Sequence, residues 1–346
     1  MIYGANGYSG ELIAREACSR GLEPVLAGRN PTRIEALANE LSLEARVFAL
    51  DDPDRVGSEL DGMKLVLHCA GPFSATSRPM VDACLKSATH YLDITGEIDV
   101  FEAALARSEE ATAAGIILCP GVGFDVIPTD CLAACLAEAL PDANQLALAF
   151  CSSSGLSPGT AKTSVEGLAS GGKVRRDGRI VTVALGYKTR QIDFGSGPRN
   201  AVTIPWGDVS TAFHTTRIPN IEVYLEASPA RAAQMRKMRW FQPLLKFAPI
   251  QSLIKGRIGK KVKGPSEEKR SGAKTAVWGE VTNAAGQKKT GTLTTANGYD
   301  VTVTGSLGVV EYLLKTQVEG GAITPARLVG NRFVCSLPGS SQIHIE

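Results

Sequence analysis

Short apolar runs and longer stretches of helical period alternate along the first third of the chain. The runs EPVLAGRN, ARVFAL, KLVLHCAGPF, HYLDIT and IILCPG are short, aliphatic, and bounded by turn-forming residues, which is the pattern of strands. Between them, TRIEALANEL, PMVDACLKSA and IDVFEAALARSEEATAAG repeat apolar residues three and four apart, as amphipathic helices do. Such alternation predicts βαβ units and a parallel sheet with helices on both faces. Thr32, after Pro31, and Thr95, before the series Ile98, Phe101 and Leu105, are the expected helix caps.

Beyond about residue 130 the texture changes. One helix, DCLAACLAEALP, precedes the runs QLALAFC, RIVTVALG, AVTIP, IEVYLEA, TAVWGEVTN and KTGTLTTA. Several alternate apolar and polar positions, which predicts a mostly antiparallel sheet with one solvated face. A helical pattern, TGSLGVVEYLLKTQVEGG, returns near the end. The expected architecture is therefore α/β: a Rossmann-type doubly wound parallel sheet over 1–128, a second α+β domain over 129–299, and a C-terminal segment, 300–346, packing back onto the first.

Composition narrows the class. The 346 residues carry 37 Lys or Arg against 35 Asp or Glu, so no overall field draws the chain to nucleic acid. The 36 Gly and 18 Pro follow no period, which excludes a collagen-like or low-complexity chain. No apolar run approaches the roughly 18 residues of a spanning helix, and the expected location is the cytoplasm. Eight cysteines form no CxxC pair, and the four histidines, at 68, 90, 214 and 344, offer no second ligand pair beside Cys131 and Cys135. The cysteines read as small buried hydrophobes, and no metal is expected.

The strongest local signal is GANGYSG, with Gly4, Gly7 and Gly10 three apart between a short apolar start and the helical run ELIAREACSRG. The first glycine permits a tight turn, the second an approach of backbone N–H groups to a pyrophosphate, the third close packing of helix and strand. Asn6, Tyr8 and Ser9 complete the expected dinucleotide loop. Only Met1, Ile2 and Tyr3 precede Gly4, where strands usually run about 5 to 6 residues. Two readings stay open, a short central strand or a start that lies upstream. At the end of the second strand, where an acid would accept from a ribose 2′-hydroxyl, stand Gly28, Arg29 and Asn30. Arg29, with Arg33 beyond it, suits a 2′-phosphate and predicts NADP(H) over NAD(H). Ala70, Gly71, Pro72 and Phe73, at the end of another strand, are expected alongside the cofactor.

Eight segments in order, YGANGYSG, LAGRN, CAGPF, HYLDITGE, GVGFDVIPTD, GTAKTSVEGL, GPSEEKRSG and ITPARLVG, resemble the saccharopine dehydrogenase-like oxidoreductases, including the bacterial trans-acting enoyl reductases. The resemblance implies a Rossmann domain, a second α+β domain inserted before the C-terminal segment, and NADP as cofactor. It implies hydride transfer to an unsaturated carbon, either an enoyl group on a lipid-like acyl substrate or an imine on an amino acid.

Such a reaction needs a proton donor beside the hydride path. Candidates are Glu97 in HYLDITGE with His90, Tyr91 and Asp93 beside it, Asp125 in GFDVIPTD, Lys162 in the helix after Gly159 and Thr160, and His214 in IPWGDVSTAFH beside Trp206 and Asp208. His214 is favoured by the neutral range of imidazole titration. Glu97 has the alternative of a helix N-terminal acid, and Asp130 that of a cap. Residues 235–263 hold nine Lys or Arg and no acid, interleaved with Trp240, Phe241, Leu244, Leu245 and Phe247. A lid, peripheral contact with anionic lipid, a homodimer interface and an ordinary solvated face all fit this segment. The expected function is an NADP(H)-dependent reductase of a small or acyl substrate. The alternatives are an amino-acid dehydrogenase working through an imine, and a non-catalytic NADP-binding protein that docks on a membrane or partner.

Overall fold

The structure, a computed structural model, describes residues 1–152, 171–238, 270 and 272–346. The chain forms two units, Met1–Ile127 with Tyr299–Val329, and Pro128–Gly298 with Gly330–Glu346. In the first, strands and helices alternate as the pattern predicts: β1 (Ile2–Tyr3), α1 (Tyr8–Ser19), β2 (Leu26–Gly28), α2 (Pro31–Leu41), β3 (Ala45–Val47), α3 (Pro53–Glu59), β4 (Leu65–His68), α4 (Phe73–Ser87), β5 (His90–Asp93), α5 (Ile98–Leu105), α6 (Ser108–Ala113) and β6 (Ile117–Cys119). Then follow α7 (Ile127–Ala139), β7 (Ala143–Ser152), β8 (Gly172–Arg176), β9 (Arg179–Val183), β10 (Thr189–Asp193), β11 (Pro198–Thr203), α8 (Asp208–Thr216), β12 (Asn220–Glu226), α9 (Pro229–Met238), β13 (Lys274–Asn283) and β14 (Lys288–Ala296). The last elements are α10 (Gly298–Lys315), β15 (Gly321–Ala322), α11 (Pro325–Val329) and β16 (His344–Ile345). Among the described residues no helix is long and apolar enough to cross a membrane.

The first sheet runs β15-β6-β5-β4-β1-β2-β3 with every pairing parallel. This is the doubly wound order, with its switch point between β1 and β4. Both central strands are buried on two faces, which is why LVLH of β4 reads as a continuous apolar run ending in a buried histidine. In the described residues the first strand comprises Ile2 and Tyr3. Ile2 pairs with Leu26 and Leu67, and Tyr3 with Ala27 and His68.

Local chemistry moves several helix boundaries from their expected places. Asn30, not Thr32, caps α2, accepting from the Arg33 N–H at 3.0 Å with Pro31 at the first helical position. The helix α3 had no counterpart in the apolar pattern, yet Asp52 caps it through the N–H groups of Asp54 and Arg55 before a first-turn Pro53. The single helix expected over 98–115 is two. Its break falls at Arg107, whose guanidinium is tied to Asp82 and Glu110, and Ser108 then accepts from the Ala322 N–H of β15. Asp130 is not a cap either, because α7 begins three residues before it. Its fully buried carboxylate accepts from the Thr215 hydroxyl of α8.

The second sheet runs β10-β11-β12-β7-β13-β14-β16, with β8 on β12 and β9 on β8. All its pairs are antiparallel except β12 with β7. Helix α7 lies on this sheet at Gly279 and Gly291. A Cβ at Gly279 would stand 2.7 Å from Leu136 Cδ1, and one at Gly291 would stand 2.8 Å from Leu132 Cδ1. The two glycines thus admit two leucines that are fully buried. The closing segment does not return whole to the first unit. Residues through Val329 do, but 330–346 belong to the second, where His344 and Ile345 pair with Thr292 and Gly291 at a strand edge that would otherwise leave its backbone groups unpaired. Replacing Leu132 by Ala should empty the space opposite Gly291 and destabilise the second unit by about 3 kcal/mol. Urea unfolding followed by tryptophan fluorescence measures it, and a loss below about 1 kcal/mol would contradict this packing.

Candidate dinucleotide site

The carboxyl ends of β2, β1, β4 and β5 lie side by side, and the segments that leave them carry most of the expected cofactor residues. Gly4 leaves β1 with φ of +83°, a conformation costly for any side chain. A Cβ there would stand 2.8 Å from both Cβ and N of Ala70. The Gly7 N–H returns to the Gly4 carbonyl at 2.9 Å, closing the turn. A Cβ at Gly10 would stand 2.3 Å from the same carbonyl. Gly7 is the N-cap of α1 and supplies no side chain to it. The amides of Ser9 and Gly10 therefore open a helix whose N-cap supplies no side-chain acceptor, and the one first-turn acid, Glu11, is paired with Arg15. Tyr8 stacks edge-on against Tyr299, with ring centroids 5.1 Å apart.

On the neighbouring strand, Gly28 gives room to Asn6, whose Oδ1 would lie 3.0 Å from a Cβ placed at 28. Arg29 is exposed at the end of β2 and makes no ion pair among the described residues, nor does Arg33. Asn30 is committed to capping α2. This cradle fits a dinucleotide: two positions, Gly4 and Gly10, where only a hydrogen is tolerated, a helix N-terminus without a side-chain cap, and cations where a 2′-hydroxyl acceptor is missing.

On the other side of the switch point, the loop Ala70–Phe73 is fixed from two directions. The Thr76 hydroxyl donates to the Ala70 carbonyl at 2.6 Å, with the Pro72 carbonyl at 3.1 Å. That leaves His68 Nε2, 3.0 Å from Thr76 Oγ1, to donate to that hydroxyl oxygen. His68 is fully buried among Tyr3, Phe73 and Tyr91, and burial pushes its imidazole down to about 3. Opposite, the Glu97 carboxylate accepts from the N–H groups of Phe73 at 2.9 Å and Ser74 at 2.7 Å. Glu97 thus caps α4, and that cap is why α4 starts at Phe73 and not near Pro79, as the apolar pattern suggests. Phe73 is only 7% exposed and packs edge-on against His68.

Glu97 is itself held from below. Its N–H donates to Thr95 Oγ1 at 3.1 Å; the Thr95 N–H donates to Asp93 Oδ1 at 3.0 Å, and the Gly121 N–H to the same oxygen at 2.8 Å. Tyr91 donates its hydroxyl to Asp93 Oδ2 at 2.7 Å. Asp93 is fully buried, and desolvation pushes its carboxyl up to about 6 against the pull of its three donors, Tyr91, Thr95 and Gly121. Asp125 follows β6. Its Oδ2 lies against Gly96, where a Cβ would come within 2.4 Å, and burial pushes its carboxyl up to about 7. His90 Nδ1 accepts from the Ile117 N–H and serves the sheet.

The first unit therefore brings together the glycine loop, Arg29, Ala70–Phe73, Glu97 and Asp125. His214 belongs to the second unit, in the last turn of α8, where its ring meets Phe213 edge-on at 5.7 Å. Trp206 stacks on Phe150 at 4.8 Å, and Asp208 is buried in the first turn of α8. Lys162, Gly159 and Thr160 lie outside the described residues, as does the basic segment from residue 239 to 263. All eight cysteines are free, with 84, 119, 131 and 135 buried; Cys131 and Cys135 donate to the carbonyls of Gly330 and Asn331. Among the described residues no group of His, Cys, Asp and Glu could hold a metal. Thr76 and His68 were not among the residues that the sequence singled out. Their one signal is a polar residue closing a wholly apolar strand, LVLH.

The first unit is a dinucleotide-binding domain of the doubly wound type. More narrowly, residues 1–119 match the family described as the saccharopine dehydrogenase NADP binding domain. A probable mitochondrial saccharopine dehydrogenase-like oxidoreductase of Arabidopsis thaliana is 34% identical over 147 residues, covering 38% of this chain and 32% of that protein. The trans-acting enoyl reductase of Mycobacterium ulcerans is 32% identical over 144 residues, covering 38% and 33%. These matches span about a third of the relatives' own length. In fold the likeness reaches further. The L-Glu-forming saccharopine dehydrogenase of Saccharomyces cerevisiae aligns over 100% of this chain and 98% of its own, with a TM-score of 0.67 at 12% identity. The homospermidine synthase of Legionella pneumophila aligns over 100% and 90%, at 0.67 and 8%.

The raised carboxyl of Asp93 makes a signed prediction. The folded state holds this proton more tightly than the unfolded chain, whose carboxyl titrates near 3.8. Its contribution to stability is thus greatest below that value and is lost as pH rises through about 6. Asp93→Asn keeps an acceptor for Thr95 and Gly121 and removes the titration. Relative to that variant, the wild-type chain should lose roughly 3 kcal/mol between pH 4 and pH 7. Urea unfolding across that range checks it; parallel profiles would refute the assignment.

Proposed function

We propose that the chain is an NADP(H)-dependent oxidoreductase that moves a hydride between the nicotinamide and an unsaturated carbon, enoyl or imine, of a small or acyl substrate. The observation that carries this reading is the pairing of an α1 N-terminus without a side-chain cap with an exposed Arg29 that makes no ion pair among the described residues, where β2 ends without a carboxylate. The amides of Ser9 and Gly10 bind the diphosphate, and Arg29, with Arg33 behind it, binds the 2′-phosphate. The Ala70–Phe73 loop then lies on the nicotinamide side. When bound, the cofactor supplies the hydride and its stereochemistry.

The proton for the other end of the reduced bond comes from a carboxyl group at the strand ends. Asp125 suits that role, because a carboxyl held near 7 is still substantially protonated at neutral pH and can both give and recover a proton. The names of the relatives support both substrate classes, an enoyl group and an amino-acid imine. Separating them requires a screen in which NADPH oxidation responds either to enoyl thioesters or to a keto acid with an amine.

Calorimetric titration tests the cofactor reading. NADPH should bind the wild-type chain more tightly than NADH, and Arg29→Ala should weaken NADPH by about tenfold or more while leaving NADH within about twofold. Equal affinities for the two nucleotides would overturn the role of Arg29.

A further inference from the structure

We propose that Glu97 is a positioning residue, whose carboxylate fixes the Ala70–Phe73 loop against the nicotinamide half of the bound dinucleotide, and that it does not deliver the proton of the reaction. The inference rests on the cofactor reading above. Both carboxylate oxygens are engaged by backbone donors, Oε1 by the Phe73 N–H at 2.9 Å and Oε2 by the Ser74 N–H at 2.7 Å. A carboxylate so held compensates the positive end of α4, and giving up a proton to substrate would require it first to hold one against two N–H groups and a helix dipole. Those donors favour the ionised form, which is the wrong form for an acid and the right one for a clamp.

The position of the clamp decides which half of the cofactor it serves. The diphosphate belongs at the α1 N-terminus in the middle of the sheet, and the adenosine half extends over β2, where Gly28 and Arg29 stand. The other half must run across β4 and β5. The Ala70–Phe73 loop leaves β4, and Glu97 reaches it from the segment leaving β5. On the far side the same loop is held by Thr76, whose hydroxyl donates to the Ala70 carbonyl at 2.6 Å. Two side chains from different elements thus grip one short backbone segment, and neither grips the adenosine side.

Glu97 also transmits the order of its neighbours. Its own N–H rests on Thr95 Oγ1, and the Thr95 N–H rests on Asp93, which also receives Gly121 from the end of β6. The loops after β4, β5 and β6 are therefore linked by one series of hydrogen bonds that ends in the Glu97 carboxylate.

The test compares two nucleotides on the full chain: NADPH, and 2′,5′-ADP, which carries the adenosine and both of its phosphates but no nicotinamide. In Glu97→Gln, one N–H loses its acceptor and faces an amide NH2 instead. NADPH affinity should fall by about tenfold or more, while 2′,5′-ADP stays within about twofold of wild type. Bound NADPH should also show altered nicotinamide fluorescence. Thr76→Val, which releases the loop from its other side, should give the same selective loss and keeps the test decisive if Glu97→Gln does not fold. Unchanged NADPH affinity in both variants would overturn the proposal, and so would an equal loss of both nucleotides, which marks a general loss of structure. A wild-type chain that binds 2′,5′-ADP but not NADPH would overturn the positioning role while leaving the phosphate site intact. Binding of neither would overturn the cofactor reading itself.

Discussion

The close approach of β1 and β4 at their carboxyl ends sets the terms for everything around it. Gly4 and Ala70 are near enough that even a methyl group on residue 4 would lie 2.8 Å from the Ala70 backbone nitrogen. Because nothing projects from Gly4, the chain can turn at once into α1, and Gly10 lets that helix settle onto the same carbonyl that closes the turn. The helix N-terminus is thereby delivered to the switch point of the sheet, where two adjacent strands send their chains in opposite directions and leave a crevice. A side chain at any of these positions would force the strand, the turn or the helix outward. The crevice exists because hydrogen is all that residues 4 and 10 carry.

Two helices point their N-termini toward this crevice, and the chain treats them differently. α4 is capped from within by Glu97, which neutralises its end and draws the Ala70–Phe73 loop taut. The cap of α1 is a glycine, which supplies no side-chain acceptor. An anion arriving at the sheet is therefore offered one helix end, not two, and the competing site already holds a carboxylate of the protein itself. Discrimination between the two ends comes from a residue 24 positions away in sequence from the amide it caps.

Much of the fold was legible because it is written in periodicity. The strands and most helices of the first unit follow directly from apolar runs and three-four spacing, and the alternation in TAVWGEVTN and KTGTLTTA gives the long antiparallel pair of β13 and β14. What periodicity could not show depends on long-range polar contacts. The helix α4 begins at Phe73 because Glu97 caps it from another loop, and the break at Arg107 reflects ion pairs with Asp82 and Glu110. The tail beyond Val329 carries too short an apolar pattern to announce that two of its residues extend the second sheet. At the site, the glycine spacing and the missing carboxylate after β2 were readable as local motifs. Thr76 and His68 were not, since a threonine inside a helix and a histidine closing a strand carry no motif until the loop they hold is seen.

Charge is distributed across the crevice in a way that orients a ligand. Cations, Arg29 and Arg33, stand at the β2 side. The carboxyl groups of Asp93, Glu97 and Asp125 stand at the β5 and β6 side, where burial keeps Asp93 and Asp125 closer to neutral than exposed acids would be. A dinucleotide phosphate is itself asymmetric, with an extra dianionic group at its adenosine end and a ring that becomes cationic on oxidation at the other. In the proposed binding mode the phosphate at the arginines would satisfy both ends; reversing it would set an additional phosphate against carboxylates. Fully ionised carboxylates at Asp93 and Asp125 would stabilise a cationic oxidised ring beside them and so favour hydride release from the reduced one. Their desolvation weakens that bias, because a carboxyl raised by burial carries less negative charge at neutral pH.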